Sequence, residues 1–507
     1  MALLLGIDVG TSATKVVLVD GAGRVVDAES RDYPLHTPRP GWTEQDPRDW
    51  WRAVAAATAQ LLARNRRPEI AAIGLSGQMH GLVPLDEGDR VIRPAILWND
   101  QRSGAQCAQL TARAGGPEEV LRLTNNPILT GYTLSKIAWL RDEEPQHFRR
   151  MRLFLNPKDW IRLELTGEKA TEVSDASGTA AFDVRRRRWS TELLARLDID
   201  AALFPPCFES AEVSGRLRPE AAAELGLAAG TPVVGGGGDA VLQTLGCGIA
   251  RPGALQTTIG TGGILACALD HPADNPEGRL QIFCNVAPDL WHCMGVALSA
   301  GASFAWLRKL FAAIRGRDPG ALSYEELTAL AAAVPPGANG LLFLPWLAGE
   351  RCPHPDPELR GGFLGLGLHH DHRAMARAVM EGVVFALRSI YALARRITAA
   401  PGEIHASGGG ATSSLWRQIQ ADVFDLPILT AYGAAQGAAY GAALVAGMGV
   451  GWWQDAAAAA ACAARVEGRD LPDPDAVARY RQLYDIYAGL HDALAPGLHA
   501  LARFAAG

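Results

Sequence analysis

No pair of the 507-residue chain's eight cysteines is spaced as CxxC, and none falls into a metal-like Cys/His pattern. That excludes a zinc ribbon or a disulfide scaffold and points to free thiols in a reducing compartment, so the expected location is the cytoplasm. There is no basic excess: net charge is −6, which argues against nucleic acid as a partner. The RRRRW run that opens at Arg185 reads as a solvated turn, with a nucleic-acid or localisation patch as the weaker alternative. The start, MALLLGIDVG, carries no basic leader and is not read as a signal peptide. The longest uncharged run, GAAYGAALVAGMGVGWW (437–453), is shorter than the roughly 20 apolar residues of a membrane helix. Its Gly and Ala content predicts a closely packed internal helix, and no membrane partner is expected. Well-known nucleotide motifs are missing too: there is no GxxxxGK[ST], no GxGxxG opening a helix after the first strand, and no HRD or DFG.

What is present is ordinary globular composition, 48% hydrophobic and 20% charged, on a chain long enough for two large domains. The first part alternates. LLLGID, KVVLVD and RVVDAES read as strands around short turns; RDWWRAVAAATAQLLARN has helical spacing; IAAIGLSGQM is a buried strand. GALQTTIGTGGILACAL (253–269) repeats the strand, Gly-Thr turn, strand pattern, and EIHASGGGATSSLWRQIQADVF reads strand, glycine turn, helix. This is an α/β pattern in two related lobes, with residues 1–248 and 249–507 as the expected domains and a cleft between them.

The stretch VVGGGGDAVLQT (233–244) removes four side chains in a row before one acid, Asp239. Glycine permits tight turns and close approach of another group. Asp239 therefore reads either as an acid left bare at a strand end or as the N-cap of the helix that follows. Three further glycine turns follow buried strands: DVGTSATK (8–15), GTGG (260–263) and SGGGA (407–411). Such turns free backbone N–H groups for anions, and their hydroxyls add donors. Together they predict phosphate contacts from Gly10, Thr11, Ser12, Gly260, Thr261, Gly262, Gly409 and Gly410. Asp8 precedes the first turn. A carboxylate beside a phosphate needs a cation between them, and Mg2+ with its waters fits; a turn-forming Asp is the plainer alternative.

These residues carry a resemblance that runs end to end. LGIDVGTSATK, GWTEQDPRDWW, SGQMHGLVPLD, RPAILWNDQRS, GYTLSKIAWLRDE, NPKDWIRLELTG, GERCPHPDPELRGGFLGL and SGGGATSSLWRQIQADV are collinear with segments of one family. The chain resembles the FGGY family of carbohydrate kinases, and within it the branch that phosphorylates D-xylulose. The resemblance implies a two-lobe fold of the actin, hexokinase and heat-shock ATPase type (ribonuclease H-like), with ATP and Mg2+. It places Asp239 where the family's catalytic base stands, Met79 and His80 where the sugar is held, and Asp8 near the metal and phosphates. SGGGA matches the adenosine-binding turn. The sequence departs from the family at Ala240, which replaces an amide that helps hold the sugar, at Gly262 for Ser, at Cys352 for Thr, at Ala374 for a polar residue, and in AAQGAAYGAAL, which lacks a Glu.

Three residues stay outside the expected site. Trp98 and Asp100 line the pocket or serve as core and turn; Lys15 reaches a phosphate or flanks a strand. The competing substrates are ribulose, erythritol, glycerol and gluconate. The competing class is a non-catalytic sugar sensor or scaffold, against which Asp8 and Asp239 are both retained. A homodimer is entertained without a residue that argues for it.

Overall fold

The computed structural model describes residues 2–314, 316, 318 and 322–505. Packing divides the chain into two units. The first comprises Met1–Arg251, Ala268–His292 and Gln436–Arg465; the second comprises Pro252–Cys267, Cys293–Ala435 and Val466–Gly507.

The first unit is built on one mixed sheet. Its strands run, in spatial order, Val213–Arg216, Pro232–Val234, Ile70–Gly77, Leu3–Val9, Ala13–Val19 and Val25–Asp32, with Gly237–Gly238 also paired to Ile70–Gly77. Leu3–Val9 and Ala13–Val19 form the expected hairpin, and Leu3–Val9 lies parallel to Ile70–Gly77. These strands are rich in Leu, Ile and Val because both faces are covered. One face packs on the helix Pro47–Arg64, which Asp46 caps by accepting from the Arg48 N–H and which Pro47 opens. Trp50, Leu61, Ile73, Leu75, Trp160 and Ile161 meet in that core.

The other face holds the Gly- and Ala-rich run. It forms the helix Ala438–Gly449, buried from Ala438 to Gly447. Gly6 and Gly74 are register partners on neighbouring strands. A Cβ on Gly6 would stand 2.0 Å from the Ala439 carbonyl oxygen, and one on Gly74 would stand 1.9 Å from that of Ala442. Two glycines side by side thus make a floor on which helix backbone rests directly. No helix of the described residues is long and apolar enough to cross a membrane.

The second unit repeats the scheme. Ala254–Ile259 pairs antiparallel with Gly263–Leu269 and parallel with Glu403–Ser407, which continues to Ile428–Ala431 and Val466–Asp470. The helix Ser414–Phe424 follows the third glycine turn, as its sequence implies.

The arginine run is only partly a solvated turn. Arg186 and Arg188 are exposed, but the Arg187 side chain is 11% exposed and pairs with Glu209, while Arg185 donates to the Leu121 carbonyl and the Asn125 side chain. Half the run therefore holds neighbouring segments of the first unit together.

Candidate active site

The glycine stretch resolves into a short strand, Gly237–Gly238, running directly into the helix Asp239–Gly246. Gly238 is the cap residue and Asp239 the first helical residue, which corrects the reading of Asp239 as an N-cap. Two of the glycines are required by their surroundings. Gly236 has φ of +74°, and a Cβ there would stand 2.0 Å from the Leu75 carbonyl oxygen. A Cβ on Gly238 would stand 2.6 Å from Cγ and Sδ of Met79. Met79 lies flush against Gly238, while Gly235 and Gly236 face the Glu209 and Leu75 carbonyls, and Asp239 is the first side chain the strand presents. Its Oδ1 accepts from the Ala240 N–H at 2.8 Å. A helix N-terminus ordinarily lowers a carboxyl pKa. Here burial dominates, and with the charge of Asp8 nearby it pushes Asp239 up to about 7.

Asp8 lies at the carboxyl end of Leu3–Val9, opposite Ser76 on one side and Lys15 on the other. Gly237 pairs with the same Ser76. Both acids thus approach the carboxyl ends of parallel strands, two strand spacings or roughly 10 Å apart. Ligands of open α/β sheets bind at such ends. Burial raises Asp8 to about 6, opposed by the Ser76 hydroxyl and the Lys15 charge. Its Oδ1 is buried with no hydrogen-bond partner, so it is not spent on forming its own turn. Lys15 Nζ donates to the Gln436 carbonyl at 2.8 Å, and burial lowers its pKa.

The first glycine turn is held from its carbonyl side. The Gly10 carbonyl accepts from the Tyr33 hydroxyl and from Gln78 Nε2, and the Thr11 carbonyl accepts from Gln45 Nε2 at 2.7 Å. In a trans peptide the N–H points opposite to the carbonyl. The N–H groups of Thr11 and Ser12 are therefore turned away from these clamps, as an anion-binding turn needs. Trp98 Nε1 donates to Thr11 Oγ1 at 2.9 Å, which places Trp98 beside the first glycine turn. Asp100 is structural, bonded to Arg102 and the Thr43 N–H.

His80 sits at φ +70°, a left-handed conformation uncommon for a non-glycine residue. Its Nδ1 lies 2.6 Å from the Gly178 carbonyl, which can only accept, so Nδ1 donates in that bond. Tyr132 packs on the ring at 4.6 Å and Phe283 at 5.9 Å. The His80 carbonyl accepts from Lys136 Nζ and Thr133 Oγ1, and Asn156 Nδ2 donates to the Gly81 carbonyl. Such a strained, over-determined loop is typical of functional sites. Asp8, Met79, His80 and Asp239 all fall within the first unit. Sequence reasoning names them but misses Gln45, Gln78, Tyr132, Thr133 and Lys136. Their one available signal is membership of the same collinear blocks.

In the second unit the turns after Ala254–Ile259 and Glu403–Ser407 are adjacent, because those strands pair in parallel up to Thr258 and Ser407. Gly260, Thr261, Gly409 and Gly410 line a cavity of about 1020 Å³, with Phe304 and Trp416 on its apolar wall. Gly262 is outside that lining. It accepts the Gly260 N–H, and a Cβ there would stand 3.1 Å from the Ala297 carbonyl oxygen.

Residues 3–246 match the model of the N-terminal domain of the FGGY family of carbohydrate kinases, and residues 255–450 match that of its C-terminal domain. The chain belongs to the FGGY family of carbohydrate kinases. It is 36% identical over 493 residues, 97% of each chain, to the xylulose kinase of Bacillus subtilis (strain 168). A xyloylose kinase from Brucella ovis matches with a TM-score of 0.89 at 36% identity, covering 98% of this chain and 100% of that one. The gluconokinase of B. subtilis is 34% identical over 435 residues, 84% of this chain and 83% of that protein. The fold is thus the two-domain α/β fold of FGGY kinases, and the chain is a carbohydrate kinase. On the helix Asp239–Gly246 of this kinase, Asp239, Ala240 and Gln243 are partly buried and the remaining residues are buried, so Ala240 keeps part of its methyl group exposed beside Asp239.

Proposed function

We propose that this kinase transfers the γ-phosphoryl group of ATP to the C5 hydroxyl of D-xylulose, giving D-xylulose 5-phosphate. The observation that carries the reading is Asp239: a carboxylate at the end of a glycine strand whose pKa burial sets near 7. A sugar hydroxyl attacks well only as its proton leaves, and a base is most effective when its pKa lies near the working pH. Met79 and His80 orient the sugar beside Asp239. The N–H groups of Thr11 and Ser12 receive phosphate oxygens, with Gly260, Thr261 and Gly262 as the second phosphate turn. The cavity beside Gly409 and Gly410 takes the adenosine, whose base has Phe304 and Trp416 to lie against. The orphaned Oδ1 of Asp8 suits a hard cation. A magnesium ion held there through water would neutralise phosphate charge. No cluster of three metal-ligating side chains occurs among the described residues, which fits an ion held largely by phosphate and water. The free cysteines fit a cytoplasmic protein. A homodimer is part of the same proposal and is read by sedimentation.

The test is ADP release, coupled to a spectroscopic readout, across D-xylulose, ribulose, gluconate, glycerol and erythritol. Turnover with D-xylulose at the highest kcat/KM is the expected result. Turnover with gluconate and none with D-xylulose would leave a kinase but overturn the substrate. Release that ignores sugar altogether would overturn the kinase reading of the site.

Two outcomes follow for the same assay. Asp239 must be ionised to accept a proton, so kcat/KM for D-xylulose should rise with pH through about 7 and then level. A profile flat from pH 5.5 to 8.5 would remove Asp239 from that role. Ala240→Asn should restore a donor and acceptor beside the sugar and lower the KM for D-xylulose by about 2- to 10-fold, the worth of one hydrogen bond. An unchanged KM would mean that another group already fills that contact.

A further inference from the structure

A strand of glycines has no side chains with which to hold itself in place. Its position has to be set through its backbone groups: Gly237 and Gly238 pair with Ser76 and Gly77, the Gly235 and Gly236 N–H groups donate to the Glu212 and Ser210 carbonyls, and side chains from the NPKDWIRLELTG block and the segment just after it take further groups. Arg162, fully buried, donates from Nη1 to the Val234 carbonyl at 2.9 Å and from Nη2 to the Gly235 carbonyl at 2.5 Å. The Gly238 N–H, one residue before Asp239, donates to Ser174 Oγ at 2.9 Å. Ser174 Oγ in turn donates to Glu172 Oε1 at 2.8 Å. Glu172 also accepts from the N–H groups of Ser174 and Asp175 and from Ser210 Oγ. Lys158 Nζ, 3.4 Å from Glu172 and 2.6 Å from Asp159, supplies the positive charge that permits these acids to be buried. Ser174, Glu172, Lys158 and Arg162 have essentially no exposure.

From this arrangement we infer that Ser174, braced by Glu172, is a positioning residue for the base, acting on Asp239 through the Gly238 N–H. A serine hydroxyl has one proton and can accept more than one hydrogen bond. With that proton committed to Glu172, its oxygen is turned toward Gly238 in a single orientation. The strand then delivers Asp239 at one place relative to Met79 and His80. This inference rests on the reading of Asp239 as the base.

Ser174→Ala leaves the buried Gly238 N–H without its acceptor. Misplacement of a reacting group by a fraction of an ångström to an ångström costs about 10- to 100-fold in rate. The expected result is a kcat lower by that factor, with the KM for ATP within about twofold of wild type, since the nucleotide cavity lies in the other unit. The decisive readout is the background. Introduced into Asp239→Asn, Ser174→Ala should change the residual turnover by less than about twofold, because a residue that acts through Asp239 has nothing left to position. If Ser174→Ala does not fold, Glu172→Gln reads the same contact, since it weakens the acceptor that orients the hydroxyl. A smaller loss, about 3- to 10-fold, with the same dependence on background is expected. Wild-type kcat in the single variant, or an equal fold loss in both backgrounds, overturns the positioning role and leaves Asp239 as the base. Wild-type turnover in Asp239→Asn alone would instead overturn the base, and the positioning role with it.

Discussion

Asp239→Asn should lose about 10²- to 10⁴-fold in kcat while gaining thermal stability at neutral pH. The first effect follows from removing the proton acceptor. The substitution leaves the proposed phosphate turns and sugar contacts untouched, so binding of nucleotide should persist. The second effect follows from linkage. The folded protein holds Asp239 at about 7, well above an ordinary aspartate's 3.8. The group therefore favours the fold when protonated. Its contribution is fully present below about pH 4 and is lost as pH rises through 7. Asparagine does not titrate. The gap in melting temperature between variant and wild type should be near zero at pH 4 and largest above pH 7. It corresponds to on the order of 2 kcal/mol once screening at a partly exposed carboxylate is allowed for. Calorimetry of both proteins without ligand at pH 4.5 and 8 checks the sign. A variant less stable at pH 8 than wild type would mean that the carboxylate is held favourably, contrary to a raised pKa.

Gly74→Ala should be among the most damaging single substitutions in the chain. The added methyl would stand 1.9 Å from the Ala442 carbonyl oxygen, a backbone atom that cannot rotate aside. Either the helix Ala438–Gly449 lifts from the sheet or the strand bends. Overpacking of this kind costs about 3 kcal/mol or more, against a total stability of about 5–15. Loss of soluble protein, or a melting temperature lower by about 5 °C or more, is the expected result. Gly497→Ala is the control. It lies inside the helix Leu490–Ala505 with nothing near its missing Cβ, so it should be neutral or stabilising by up to about 1 kcal/mol. Equal behaviour of the two variants would show that the close approach at Gly74 is not a constraint.

These two positions mark what was legible in the sequence. The hairpins, the strand Ile70–Gly77 and the helix Pro47–Arg64 are local, and their signals of strand runs, helical spacing, caps and turns lie in adjacent residues. The glycines before Asp239 announce that something approaches closely, but not that it is Met79, since the partner lies some 160 residues earlier. Asp239 next to a glycine could be cap or first helical residue on propensity alone. Tertiary packing decided it. Gln45, Gln78 and Trp98 hold the first turn across distances in sequence that no window of neighbours covers. Lys15 is another case: nothing local announces that its Nζ donates to the Gln436 carbonyl, 421 residues later. The resemblance to a family proposes site residues that periodicity cannot, because it carries three-dimensional information that periodicity does not. It says nothing about Ser174, whose significance appears only once its hydroxyl is seen between Glu172 and Gly238.

The helix that rests on Gly6 and Gly74 also orders events in time. Its residues begin at 438, while the sheet beneath it is finished by residue 238. A ribosome moving at about 5–20 residues per second would need roughly 10–40 s to travel from one to the other. Throughout that interval the sheet of the first unit has been synthesised but one of its faces has no cover. A nascent chain released early, or a fragment ending near residue 251, carries an apolar sheet face with two glycines at its centre and nothing to lay on them. The first unit of this kinase is therefore completed after most of the second has been made, and a truncation that spares every residue of the sugar site still removes part of its foundation.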